Sequence, residues 1–172
     1  VRTRPPDPTA PRPKFRLTRY VLSFAALFAL LYGLFITHFE GLLPYFSLLT
    51  GAVYVLLNLF YDGFSWTGNI LTHPTFAFEI TRGCDGITPL ILILAAVLPF
   101  PVSWRAKLCG LAWAVPILLV SNYLRIVLLA LTKIHAPSYF PIMHGGILQP
   151  VMVLLTFVLF LLWLLTYGAE TH

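Results

Sequence analysis

Arg125 sits in Val120-Ser121-Asn122-Tyr123-Leu124-Arg125-Ile126-Val127-Leu128-Leu129, a run that otherwise reads as lipid-embedded. An ionised side chain near mid-membrane costs at least about 2.5 kcal/mol, so this arginine either snorkels to an interface or puts its charge to use. Cys84 lies in Thr81-Arg82-Gly83-Cys84-Asp85-Gly86, immediately before Ile87 opens an apolar helix. A thiol there feels the positive end of the helix macrodipole and the charge of Arg82, and both favour the thiolate. Gly83 and Gly86 allow a tight turn and let another backbone approach the sulfur. His144 closes Phe140-Pro141-Ile142-Met143-His144-Gly145-Gly146, just before the last apolar run. A thiol, an imidazole and a guanidinium at one interface form a set for acyl transfer: nucleophile, general acid/base, and charge donor to an oxyanion.

The other reactive residue types have duller readings. Cys109, in Lys107-Leu108-Cys109-Gly110-Leu111, reads as a small buried hydrophobe. With two cysteines in different apolar contexts, neither a disulfide framework nor a paired-cysteine metal motif is implied. His38, His73 and His135 read as surface or loop residues and His172 as a tail residue. The sequence contains no H-E-x-x-H zinc motif, G-x-S-x-G elbow or phosphate-binding glycine loop, so no metal and no cofactor is expected.

The elements that must position these residues are membrane helices. Of 172 residues, 59% are hydrophobic and 10% charged, which excludes a water-soluble globular domain, where about a quarter would be charged. Apolar stretches occupy residues 20–37, 42–60, 87–100, 108–131 and 147–167, several of them near the roughly 20 residues that cross a bilayer. The expected fold is an all-α integral membrane protein of about five hydrophobic helices. Residues 61–86, punctuated by Gly63, Gly68, Asn69 and Pro74, are expected to form a small strand pair or loop at the membrane surface. Residues 104–107 read as a short basic turn, and 135–146 as a polar connection. The domain organisation expected is a basic tail (1–19), one transmembrane domain (20–168) and a short C-terminal tail (169–172).

The net charge of +5 could suggest nucleic acid, but six of the eleven basic residues crowd the first nineteen positions beside five prolines. Such a flank before an apolar helix reads as a cytoplasmic anchor, with membrane lipid rather than nucleic acid as its partner. The first stretch, without a small-residue cleavage site after it, reads as an uncleaved anchor. If all five stretches cross, Arg105 and Lys107 fall on the opposite side from the tail, against the positive-inside rule. The second stretch offers a way out, because Ser47, Thr50, Gly51, Tyr54, Asn58 and Tyr61 recur every three or four residues along one helix face. That stripe either lies in the outer interface or faces a wet cleft in the bundle. In the former case the tail and Arg105/Lys107 are both cytoplasmic, and Cys84 and His144 face outward. Arg125, eighteen residues beyond Lys107, then lies ~27 Å along the helix, near the opposite boundary.

Gly83-Cys84-Asp85-Gly86, then Asn122-Tyr123-Leu124-Arg125-Ile126, then His144 before the final helix, resembles the Cys, Asn-x-x-Arg and His signature of the exosortase and archaeosortase membrane transpeptidases. The resemblance covers roughly residues 43–163. It is closest to the compact exosortase H branch, including Pro99-Phe100-Pro101 followed by Trp104-Arg105-Ala106-Lys107. Asp85 and Gly145-Gly146 depart from the pattern. The resemblance implies a prokaryotic plasma-membrane enzyme whose active site faces outward. Its partners would be substrate proteins bearing a C-terminal motif, a transmembrane helix and a basic cluster, cleaved near the motif and passed to an acceptor. Carried over, Cys84 would be the nucleophile, Arg125 the oxyanion and substrate-positioning group, and His144 the acid/base. Arg82, Gly83, Asp85 and Gly86 would support the cysteine turn. Asn122 reads equally as a supporting group and as a helix–helix hydrogen-bonding residue. The rival reading is a non-enzymatic assembly or transport subunit in which Arg125 pairs with Glu79 or Asp85.

Overall fold

The computed structural model describes residues 17–81 and 83–168. The basic segment 1–16, Arg82 and the tail 169–172 lie outside them, so the expectations for those residues are not addressed by the fold.

α1 (Leu17–Thr37) leads through a single 3-10 turn, Phe39–Leu42, into α2 (Leu43–Leu57). Pro44 is tolerated in the first turn of α2 because the N–H it lacks would have no intrahelical partner there. Next comes an antiparallel three-stranded meander of β1 (Ser65–Thr67), β2 (Ile70–His73) and β3 (Phe76–Glu79), where the sequence suggests a strand pair or a loop. α3 (Ile87–Val97) follows, then α4 (Trp104–His135) and α5 (Gln149–Tyr167).

The architecture is the expected membrane one of five helices, but α4 and the segment before α5 differ from the sequence expectation. At 32 residues α4 outruns the stretch 108–131 at both ends. The supposed basic turn at 104–107 is its first turn, capped by the Ser103 hydroxyl, which accepts from the Ala106 N–H. Residues 142–148 are not a loop either. They form a π-helical turn, Ile142–Leu148, that runs directly into α5. Among the described residues four helical stretches, Leu17–Thr37, Phe39–Leu57, Trp104–His135 and Ile142–Tyr167, are long and apolar enough to cross a membrane. The 11 residues of α3 reach about 16 Å, roughly half the hydrocarbon thickness.

Cross-helix contacts establish two ends of the bundle. At the lower end the Tyr20 hydroxyl of α1 donates to Ala96 O (3.0 Å), Lys107 Nζ to Leu98 O, and Trp163 Nε1 of α5 to Ala106 O (3.0 Å). Between the ends, Ile93, Val97, Leu118, Met152 and Leu159 pack as a dry core of α3, α4 and α5. Leu17 and the Arg105/Lys107 turn thus share one end, while Phe35, at the far end of α1, packs on Ile91 and Phe46.

α2 takes a course that periodicity alone does not determine. It begins at the level of the cysteine turn, where the Tyr45 hydroxyl donates to Asp85 O (3.1 Å). Farther along, Ala52 O accepts from the Tyr123 hydroxyl (3.1 Å), and just past its end Tyr61 Oη lies 3.0 Å from His135 Nε2. Because Tyr123 to His135 leads away from Lys107 along α4, α2 continues away from the Leu17 end and does not return to it. Part of its polar stripe packs against protein, while Asn58 at its far end is exposed. Thr50 is buried, Tyr54 lies against Trp66 with ring centroids 5.1 Å apart, and Gly51 also abuts Trp66. The sheet therefore sits on α2, and its Leu71, Phe78 and Ile80 share a core with Val53, Leu57, Ile126, Leu129 and Cys84.

Candidate active site

The cysteine sits in a turn tied off by the residue after it. Thr81 O accepts from Cys84 N (3.0 Å), and the Asp85 carboxylate accepts from Gly83 N (3.1 Å) and Ile87 N (2.7 Å). Asp85 thereby satisfies one of the amides that α3 leaves unpaired at its start. Gly83 at φ +91° and Gly86 at φ +74° supply the left-handed backbone this turn needs. Gly86 is needed for space as well, since a Cβ there would lie 2.7 Å from Asn122 Cγ.

α4 grips the turn with two residues one helical turn apart. Asn122 Nδ2 donates to Cys84 O (3.1 Å) and Arg125 Nη1 to Gly83 O (2.7 Å). Helical side chains lean toward their own N-terminus, so the Arg125 guanidinium drops back toward the level of Asn122 and reaches the same turn. Arg125 is 3% exposed, so it is not snorkelling. Nη1 is engaged, while among the described residues Nε and Nη2 are buried without a hydrogen-bond partner, and so is Asn122 Oδ1. Buried unpaired donors are destabilising, typically by about 1–3 kcal/mol, and persist where a ligand or reacting atom completes them.

His144 arrives from α5. The π-helical turn displaces it from ordinary α-helical register, a feature frequent at functional sites. Its Nε2 lies 2.8 Å from Cys84 Sγ, and the Phe140 ring stacks on the imidazole at 5.7 Å and 18°. Phe140 is in turn flanked by Phe78 from β3, edge-on at 5.8 Å, and by Lys133 Nζ, 4.1 Å from its centroid.

The electrostatics correct one expectation. The sequence points to a thiolate favoured by the start of α3, but burial pushes the Cys84 thiol above its ordinary range. Arg125 pulls it down and the nearby Asp85 pushes it up further. Burial also raises the Asp85 carboxyl, against the pull of the backbone amides it accepts from. Burial thus favours the neutral thiol, and His144 Nε2 stands within reach of its proton.

Cys84, Arg125 and His144 come together, with Gly83, Asp85, Gly86 and Asn122 building the turn. Arg82 lies outside the described residues. The pairing of Arg125 with Glu79 or Asp85 does not form, because Asp85 is occupied by backbone amides and Glu79 Oε1 accepts from Asn69 Nδ2 (3.1 Å). Cys109 is exposed on the outer face of α4 instead of buried. Sequence reasoning missed Tyr45 and Phe140. Phe140 stands four residues before His144, a helical spacing that could have suggested contact, whereas Tyr45 meets Asp85 only through the tertiary fold. Among the described residues no cluster of three or more His, Cys, Asp or Glu side chains could hold a metal ion.

The arrangement can take a proton from a thiol, attack a carbonyl and stabilise the oxyanion that results. No curated protein and no solved structure matches the chain. The family model described as transmembrane exosortase (Exosortase_EpsH) matches residues 14–165, nearly the whole sequence. The chain belongs to the transmembrane exosortase family.

Proposed function

We propose that this protein is a membrane-embedded cysteine transpeptidase that cleaves C-terminal sorting signals made of a short motif, a transmembrane helix and a basic cluster. The observation that carries the reading is the 2.8 Å Cys84 Sγ–His144 Nε2 contact beside a buried arginine with two unengaged donors. His144 takes the thiol proton as Sγ attacks the scissile carbonyl. The Arg125 donors stabilise the tetrahedral oxyanion. As the intermediate collapses to a Cys84 thioester, His144 returns the proton to the departing amine. An acceptor nucleophile (water, an amine, or a lipid or sugar group) then attacks the thioester carbonyl and releases the thiol.

The basic end of the bundle, with Lys107 and the segment leading to Leu17, is cytoplasmic by the positive-inside rule. The catalytic end then lies near the extracytoplasmic boundary of a prokaryotic plasma membrane. Asn122, fifteen residues above Lys107, sits ~22 Å up α4, inside a hydrocarbon layer of about 30 Å. A substrate delivered as a single helix diffuses to this depth in two dimensions.

The test is co-expression with a protein carrying such a tail. Cys84→Ser should abolish processing and the trapped thioester while leaving the membrane level of the enzyme unchanged. Full processing by that variant would refute the nucleophile assignment.

A further inference from the structure

The antiparallel register determines which backbone groups of β3 are free. Ile80 N donates to Asn69 O (2.8 Å) and Ile80 O accepts from Asn69 Nδ2 (3.1 Å), so Ile80 faces β2. By two-residue alternation Phe78 and Phe76 also face β2, opposite Leu71 and His73. The N–H and C=O groups of Ala77 and Glu79 therefore point to the outer edge, and both residues are exposed. In the strand order β1-β2-β3 the outer side of β3 has no strand partner among the described residues, and α2 packs on β1 and β2. Thr81 is the next residue with outward-facing groups, and its carbonyl accepts from Cys84 N at 3.0 Å. The outward main-chain groups of Ala77 and Glu79 thus lead toward Thr81, whose carbonyl is bound by the N–H of the nucleophile itself.

We propose that the open edge of β3 binds the substrate segment preceding the scissile bond as an added strand. This rests on the cysteine transpeptidase reading and says how the acyl-donating chain is held. The direction follows from the chemistry. The donor segment must end at the carbonyl that Cys84 attacks, and β3 also runs toward Cys84, so the two strands are parallel. Unpaired edge groups are a ready template for such addition. Recognition through the main chain supplies affinity with little demand on sequence, while alternate side chains give selectivity. Phe78, between the two edge residues, lies edge-on to the Phe140 ring that stacks on His144.

The test uses the full chain with Cys109→Ser in lipid nanodiscs and two alkylating probes, acetyl-alanyl chloromethyl ketone and acetyl-tetraalanyl chloromethyl ketone. Each loses chloride to Cys84 Sγ and leaves a thioether, read by intact mass. The longer probe should react about tenfold faster, because only it can pair with Ala77 and Glu79. Ala77→Pro deletes one outward N–H at an edge position where proline is tolerated. It should cut that advantage about two- to tenfold, as for loss of one hydrogen bond, and leave the short probe unchanged. With the unmutated edge, replacing single alanines of the long probe by lactate should slow it at alternate positions only. Equal rates for the two probes, or no effect of either Ala77→Pro or the lactate scan, would overturn the inference. So would a change from dimer to monomer in Ala77→Pro at an unchanged probe ratio, because the edge would then pair two copies of the chain. If the short probe fails to alkylate Cys84, or His144→Ala does not slow it, the cysteine reading itself falls and this inference with it.

Discussion

Replacing Arg125 by lysine separates charge from geometry at the centre of the site. In the structure Nη1 is committed to Gly83 O at 2.7 Å, while Nε and Nη2 are buried and unengaged. The planar fork thus holds the cysteine turn with one nitrogen, and on the proposed mechanism the others meet the incoming oxyanion, a division that a single ammonium does not reproduce. If the lysine nitrogen takes the Gly83 carbonyl, the oxyanion loses its fixed donor. If it turns to the oxyanion instead, the turn loses a charge-assisted bond of about 1.5–3 kcal/mol. Loss of one preorganised oxyanion donor lowers the rate ~10²- to 10³-fold, or about 2.7–4 kcal/mol in the barrier. Arg125→Lys should therefore process a co-expressed substrate ~10²- to 10³-fold more slowly at matched membrane levels. Its Cys84 should still react with iodoacetamide, because a positive charge remains beside the thiol. Near-normal turnover would refute the reasoning, make the arginine an anchor of the turn alone, and shrink the reacting set to Cys84 and His144.

Gly86→Ala places a methyl group 2.7 Å from Asn122 Cγ on a backbone at φ +74°. It should push Asn122 off Cys84 O and reduce processing by at least about tenfold, the effect of more than 1.4 kcal/mol of strain at a left-handed, crowded position, measured against Gly145→Ala, whose Cβ meets open space. Because burial raises the Cys84 thiol, its neutral form is favoured in the fold, and thiolate accumulates only at higher pH. Alkylation by iodoacetamide should climb through an inflection above the ordinary thiol value of about 8.5, and Arg125→Gln should move it higher still; an inflection at or below that value would contradict the burial argument. For topology, a thiol introduced at Ser138 should be labelled from outside spheroplasts by an impermeant reagent and one at Ser103 should not, and the reverse pattern would invert the proposed orientation.

The membrane class, the approximate places of the helices and the three candidate side chains Cys84, Arg125 and His144 are legible in the sequence because each is a local statement. A run of apolar residues must leave water, and a charge such as Arg125 inside one is costly wherever the chain goes. The glycines at 83 and 86 likewise announce a turn that other residues would strain. The state of the thiol was not legible, since local reasoning saw a helix start and Arg82, whereas burial against α4 and the sheet raises its pKa. Nor was the course of α2, whose polar face fits an interface or a cleft equally well until Trp66 and Tyr123 are seen to pack on it. The same limit applies to the π-helical turn that aims His144, the reach of Asn122 and Arg125 to two successive carbonyls, and Tyr45 on Asp85. These depend on which surfaces meet across forty to sixty residues of chain, and side-chain periodicity records only that a face is buried, never against what.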